Sequence, residues 1–157
     1  MILLDKKRIE RTIKRMSYQI LEEAHDNTIQ LVGINQRGMV VANKVKTYLE
    51  KASGNNIQLT PISSKNEIPV SLKKKPDDEL LVIIDDVIFS GGTVFNAMMI
   101  IENLPEFENI IVSVLVDRGH RKYPVLASIV GFHLPTKFNE HVSLKIEDDQ
   151  PISVQLT

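Results

Sequence analysis

The stretch LLVIIDDVIFSGGTVFNA (80–97) constrains the fold more than any other part of the chain. Its first five residues are apolar on both alternating faces. A strand of that kind is buried on both sides, as the central strands of parallel sheets are. Asp85 and Asp86 end the apolar run, Ser90-Gly91-Gly92-Thr93 follows, and a helix is predicted over 93–104, ended near Pro105. The same alternation recurs elsewhere. IQLVGI (29–34) reads as a buried strand, and 38–50 as a helix with Val41, Val45 and Leu49 at four-residue steps. NIQLTPI (56–62) and NIIVSVLVD (109–117) read as further strands. These elements predict an α/β fold with a mostly parallel central sheet flanked by helices.

The ends and the middle read differently. Asp5 is placed to cap a first helix, whose Ile9, Ile13, Met16 and Ile20 share one face. Lys7, Arg8, Arg11, Lys14 and Arg15 fall on the rest of its surface. Residues 63–79 are polar, hold two prolines and the triplet Lys73-Lys74-Lys75, and read as a loop with a short strand at 68–72. In the tail, SIVGFHL (128–134), HVSLKI (141–146) and ISVQL (152–156) are short strands separated by Pro135 and Asp148-Asp149. They either extend the sheet or form a small antiparallel flap.

Composition narrows the function classes. A length of 157 residues suits a single domain, 1–157, with a real hydrophobic core. Nineteen Lys and Arg oppose twenty Asp and Glu, so binding of nucleic acid through bulk positive charge is not expected. The chain has no cysteine, which excludes disulfides, thiolate metal sites and cysteine nucleophiles. His120 and His133 lack the spacing of a zinc site. No apolar run approaches a membrane span, and the first residues lack the order of a signal peptide; a cytoplasmic, membrane-free protein is expected.

The chemistry concentrates at 85–93. Ligands of open α/β sheets sit beyond the carboxyl ends of the strands. Ser90 and Thr93 offer hydroxyls there, Gly91 and Gly92 let backbone N–H groups approach an anion, and the following helix start adds partial positive charge. A phosphate at 90–93 follows. Asp85 and Asp86 are placed either to accept hydrogen bonds from vicinal hydroxyls or to hold a divalent ion through water. The dinucleotide fingerprint is absent, and Gly91-Gly92-Thr93 lacks the lysine of a Walker loop. An acidic receiver domain is disfavoured by the glycine-rich loop directly after the acids.

Apolar strand, Asp-Asp and Ser-Gly-Gly-Thr together resemble the type I phosphoribosyltransferases. Val32-Gly33-Ile34-Asn35-Gln36-Arg37-Gly38 and Val114-Leu115-Val116-Asp117-Arg118-Gly119-His120-Arg121 narrow the resemblance to the bifunctional pyrimidine operon regulator/uracil phosphoribosyltransferase family. Pro124, Val130-Gly131 and Leu134-Pro135-Thr136 continue it, and 141–156 has the shape of that family's closing, hood-like strands. The resemblance implies transfer of a ribosyl phosphate from phosphoribosyl diphosphate to uracil, with Mg2+, in a homo-oligomer. It implies that Ser90, Gly91, Gly92 and Thr93 hold the 5-phosphate, and that Asp85 and Asp86 hold the ribose hydroxyls and, through water, the metal. Asn35, Gln36, Arg37 and Gly38 would hold the diphosphate, with Arg37 stabilising its departure; Asp117, Arg118, Gly119 and Val130 would flank the base. On residue type alone, the lesser alternatives are a helix-start salt bridge for Arg37 and a strand-end cap for Asp117.

Two departures from that family shape the expectation. The connection between Leu59 and Leu81 is short where active members carry a long flap, so binding is expected to outlast turnover, and a nucleotide-sensing regulator without catalysis is the alternative. A transferase for another base, such as a purine, is the third reading. Arg121 is retained at a basic position of the family's RNA surface, but Lys14 and Tyr18 replace threonine and histidine, and Leu126 and Phe132 stand at two other basic positions. RNA binding is therefore expected to be weak or absent.

Overall fold

The computed structural model describes residues 1–74 and 79–157. Lys75, the last of the lysine triplet, lies outside the described residues. Five strands form one parallel sheet: β2 (Thr28–Ile34), β3 (Gln58–Ile62), β4 (Glu79–Ile88), β5 (Asn109–Asp117) and β6 (Ile129–His133), in the order β3-β2-β4-β5-β6. A second sheet of three antiparallel strands sets β1 (Ile2–Leu4) beside β8 (Gln150–Leu156), and β8 beside β7 (Val142–Glu147). The helices are α1 (Lys6–Ala24), α2 (Asn35–Ser53) and α3 (Gly92–Ile100).

Each of the tail strands resolves one way. The first, β6, extends the parallel sheet by pairing with β5 from Ser113–Ile129 to Asp117–His133. The other two form the hood, joined by β1, which is too short for its periodicity to show. The first helix begins where its cap requires: Asp5 Oδ1 accepts a hydrogen bond from the Arg8 amide at 2.9 Å. Its apolar stripe of Ile9, Ile13, Met16 and Ile20 is fully buried against the sheet.

The third helix ends four residues earlier than its sequence pattern predicts. Ile101 turns extended at φ −76° and ψ 104°, and a single 3-10 turn over Leu104–Glu106 carries Pro105. The cause is the segment before β4. The Val70 amide donates to Ile100 O and the Glu102 amide donates to Val70 O, each at 2.8 Å, so the chain after Ile100 pairs with Val70 instead of continuing the helix. The expected short strand at 68–72 is this one parallel bridge. Asn103 completes it, accepting from the Leu72 amide and donating to Leu72 O.

The two faces of the parallel sheet are covered unequally. One holds α1, α2 and the hood around Leu31, Val82, Ile84 and Leu115. The other holds α3 and two loops around Val32, Leu81, Ile83 and Val114.

Candidate functional site

Unequal strand lengths create the site. β2 pairs with β4 only as far as Gly33–Ile84, where the chain leaves the sheet to start α2. β4 continues to Ile88, still paired with β5 through Asp85–Val114, Val87–Val116 and Ile88–Asp117. The two carboxylates therefore lie within the strand's last turns, beside a neighbour that has ended. The sequence places Asp85 at the strand end; the structure adds three residues to the strand, because β5 reaches equally far.

Asp85 is buried beneath the first turn of α2. A Cβ at Gly38 would stand 3.2 Å from Asp85 Oδ1 and 3.0 Å from Ile84 O, so glycine lets the helix come this close without pushing on the acid. Asp85 Oδ1 accepts a hydrogen bond from the Asp86 amide at 2.8 Å. Burial pushes the Asp85 carboxyl well above the usual carboxylate range, and the neighbouring Asp86 charge adds to the push.

Both acids open onto a cleft of about 860 Å³ between the sheet and the hood. Asn35, Gln36, Arg37 and Thr93 line its floor, and Phe138, His141, Ser143 and Lys145 its roof. Asn35 takes the left-handed conformation, φ 56°, and its side chain is held by Ser64 in both directions at 3.0 Å. Arg37 donates Nε to Leu144 O at 2.9 Å, which ties the floor to the hood. Its terminal amino groups make no other hydrogen bond among the described residues.

The 90–93 loop is braced from outside the cleft. Gly91 adopts φ 85° and caps α3. Ser90 O accepts the amides of Lys122 and Tyr123 at 2.9 and 3.0 Å, and Ser90 Oγ accepts the Gly92 amide at 3.2 Å. Ser90, Gly91 and Gly92 thus form the support from which Thr93 projects into the cleft.

The segment after β5 is a clamp. Asp117 takes both terminal nitrogens of Arg121 at 3.0 and 2.8 Å and the Gly119 amide at 2.9 Å. Burial by itself would raise the Asp117 carboxyl, but Arg121 and the Gly119 amide outweigh it and hold it below the ordinary range. Arg121 also donates to Phe89 O and Val125 O, each at 3.0 Å. The cation at the retained RNA-surface position is thus spent inside the protein. Of the predicted base-flanking residues only Arg118 lines the cleft. It donates to Thr136 Oγ1 at 3.0 Å and to Glu140 O, and lies 4.2 Å from the centre of the Phe89 ring. Val130 stands apart, on β6, where its carbonyl accepts from Arg15 Nη1 at 3.4 Å.

The sequence reading missed an aromatic group at the cleft. Phe89, His120 and Phe138 meet edge to face, with ring centres 5.3–5.5 Å apart. Phe138 is 76% exposed and forms part of the roof. Its signal lay in the spacing of Phe89, His120 and Phe138 across three loops, which no local pattern joins.

Among the described residues no three His, Cys, Asp or Glu side chains gather into a metal cage. The Asp85–Asp86 pair nevertheless fits Mg2+, which takes one or two carboxylates and fills its shell from water and substrate oxygens. Among the described residues no helix is long and apolar enough to cross a membrane.

Comparison with known proteins agrees with this geometry. The phosphoribosyl transferase domain family matches residues 2–148. The bifunctional protein PyrR of Elusimicrobium minutum is 30% identical over 94% of this chain and 90% of its own; that of Clostridium novyi is 31% identical over the same shares. Among solved structures, hypoxanthine phosphoribosyltransferase of Trypanosoma cruzi, in complex with the product IMP, superposes with a TM-score of 0.71 at 14% identity, covering 98% of this chain and 89% of that one. A hypoxanthine-guanine phosphoribosyltransferase of Bacillus anthracis gives 0.66 at 20% identity, covering 88% and 85%. The structural likeness establishes the type I phosphoribosyltransferase fold. With the sequence matches, it shows that the chain belongs to the phosphoribosyl transferase domain family and is homologous over most of its length to bifunctional PyrR.

Proposed function

We propose that the cleft binds phosphoribosyl diphosphate and a pyrimidine base or uridine nucleotide, and that the chain joins uracil to the sugar at low turnover. One observation carries the reading: β4 outruns β2, so Asp85, Asp86, Thr93 and Arg37 all open onto one cleft. Thr93 and the amides of 90–93 receive the 5-phosphate. Asp85 and Asp86 accept hydrogen bonds from the ribose hydroxyls. Asn35, Gln36, Gly38 and the free end of Arg37 hold the diphosphate. Arg118 and the Phe89–Phe138 aromatic group flank the base, while Asp117 and Gly119 fix the backbone beneath them.

Uracil N1 forms a bond to ribose C1 as the bond from C1 to the diphosphate oxygen breaks; the diphosphate leaves with that electron pair, and the N1 proton passes to solvent. Arg37 stabilises the charge that gathers on the leaving group. Mg2+ held by Asp85 and Asp86 would supply further positive charge to the diphosphate oxygens.

Low turnover follows from the path of the 63–74 segment. Val70 and Leu72 are fastened beside Ile100 and Asn103. That is the far end of α3 from Thr93, about 10 Å at 1.5 Å per residue. The connection that could serve as a lid leads away from the cleft, and an open reacting centre loses electrostatic advantage to water. The same observation favours a second reading, a nucleotide-sensing regulator on this fold. Calorimetry with phosphoribosyl diphosphate and steady-state kinetics with uracil, hypoxanthine and guanine separate the readings. The proposal expects micromolar binding and uracil turnover below about 1 per second, under the usual range. Binding without nucleotide formation selects the regulator, and faster use of a purine replaces uracil as the base.

A further inference from the structure

Among the described residues, the Lys and Arg side chains that line the cleft are Arg37, Arg118 and Lys145. Their charges are not equally available. Arg118 is buried, donates to Thr136 Oγ1 and to Glu140 O, and packs on the Phe89 ring. Arg37 gives Nε to Leu144 O and keeps its terminal amino groups for the cleft. Lys145, on the roof, is exposed and forms no ion pair among the described residues. The proposed mechanism leaves it without a task.

The strand that carries Lys145 sets its direction. β7 is an edge strand of the hood, with β8 on one side only. Its free edge meets Arg37 at Leu144 O, 2.9 Å from Nε. Val142 and Leu144 are buried in the core, so Ser143 and Lys145 leave the strand on the opposite face, and both line the cleft. Ser143 pairs with Gln155 and Lys145 with Ser153, so no acid stands across the ladder from the lysine. The register shifts between Lys145 and Ile146, where β8 holds one extra residue, Ile152. An irregularity of this kind bends the strand and re-aims the side chain beside it. Consecutive Cα atoms are about 3.8 Å apart, so the lysine stem begins one short step from the carbonyl that holds Arg37.

We propose that Lys145 is the second cation of the diphosphate site, closing on the leaving group from the roof while Arg37 holds it from the floor. The assignment rests on the reading of the cleft as a phosphoribosyl diphosphate site. The 63–74 connection is fastened beside Ile100 and Asn103 and gives no cover from its side. The hood, tied down through Arg37, gives that cover instead. As the bond from ribose C1 breaks, its electron pair goes to the diphosphate oxygen, and the ammonium offsets the added charge. A nucleoside monophosphate has no diphosphate and gains nothing from Lys145. That separates the role from general support of the hood.

Calorimetric titration of the full chain with phosphoribosyl diphosphate, inorganic diphosphate and uridine monophosphate, each with Mg2+, tests the proposal. Lys145→Gln should weaken the first two about tenfold and leave the third within about twofold, with an unchanged circular dichroism spectrum. The fall of diphosphate affinity with added salt should become shallower in that variant. Lys145→Arg keeps the charge and should keep all three affinities. Lys51→Gln removes the same charge about 24 Å along α2 from Asn35 and should change none of them. A parent chain that binds no phosphoribosyl diphosphate overturns the reading of the cleft, and the role of Lys145 with it. A parent that binds, with Lys145→Gln binding equally well, overturns Lys145 alone. Equal weakening of all three ligands, or a loss in Lys145→Arg as large as in Lys145→Gln, makes the side chain a support of the hood and also overturns the proposal.

Discussion

Thr93 and Asp85 divide the labour of the cleft between a group that costs the fold nothing and one that costs it a good deal. Thr93 is exposed at the first turn of α3, so Thr93→Val should leave thermal unfolding unchanged. A hydrogen bond to a charged group is worth about 1.5–3 kcal/mol, and uridine monophosphate affinity should fall about tenfold or more by calorimetry. Unchanged affinity would remove Thr93 from the phosphate site. Asp85 is the opposite case. Its buried charge is disfavoured in the folded chain, and the hydrogen bond it accepts from the Asp86 amide uses an oxygen that asparagine keeps. Asp85→Asn should raise the melting temperature of the metal-free protein at neutral pH while weakening phosphoribosyl diphosphate binding. A lowered melting temperature would mean that the buried charge is satisfied by the fold itself. Asp117 behaves in the usual acidic manner. With its carboxyl held below the ordinary value of 3.8, its pairing with Arg121 stabilises the fold above that pH and is lost as pH falls below it. An Arg121→Ala chain should lose less stability than the parent between about pH 4 and pH 2 in acid unfolding curves.

At the scale of elements, α1 shows why basic residues in sequence do not make a basic surface. Arg15 is turned onto Gly131 O, and Arg8 lies 5.6 Å from the centre of the Phe132 ring. Both serve the packing of α1 on β6. Arg121 is bound within its own loop. What is left on the helix is Lys6, Lys7, Arg11 and Lys14 beside an exposed Tyr18. A pyrimidine-operon leader hairpin should therefore show no tight binding in gel shifts at physiological salt, with or without uridine nucleotide. A nanomolar complex that weakens steeply with salt would show that these four cations suffice. The central strands were legible in sequence because burial on both faces leaves an unbroken apolar run; β5 has the predicted bounds, Asn109–Asp117. The end of α3 was not legible. Ile101 is as good a helix former as its neighbours, and only the pairing with Val70, thirty-one residues away, turns it extended.

Across the whole molecule, the site is a consequence of mismatch: a sheet whose third strand outlasts its second, roofed by a small sheet built from both ends of the chain. The acids, the glycine loop and the strand–helix alternation could be read locally because each is continuous in sequence. The Arg37–Leu144 link and the Phe89–His120–Phe138 group could not, since each joins segments that only the closed fold brings together. The central claim is that this cleft holds a ribose between a phosphate loop and a diphosphate loop. It is tested most directly by calorimetric titration of the Asp85→Asn, Asp86→Asn double variant with phosphoribosyl diphosphate and, separately, with inorganic phosphate. The account predicts that affinity for the sugar ligand falls by a factor of ten or more while affinity for phosphate is kept. Equal loss of both would place the acids in the service of the fold, and undiminished binding of the sugar would place the ribose elsewhere.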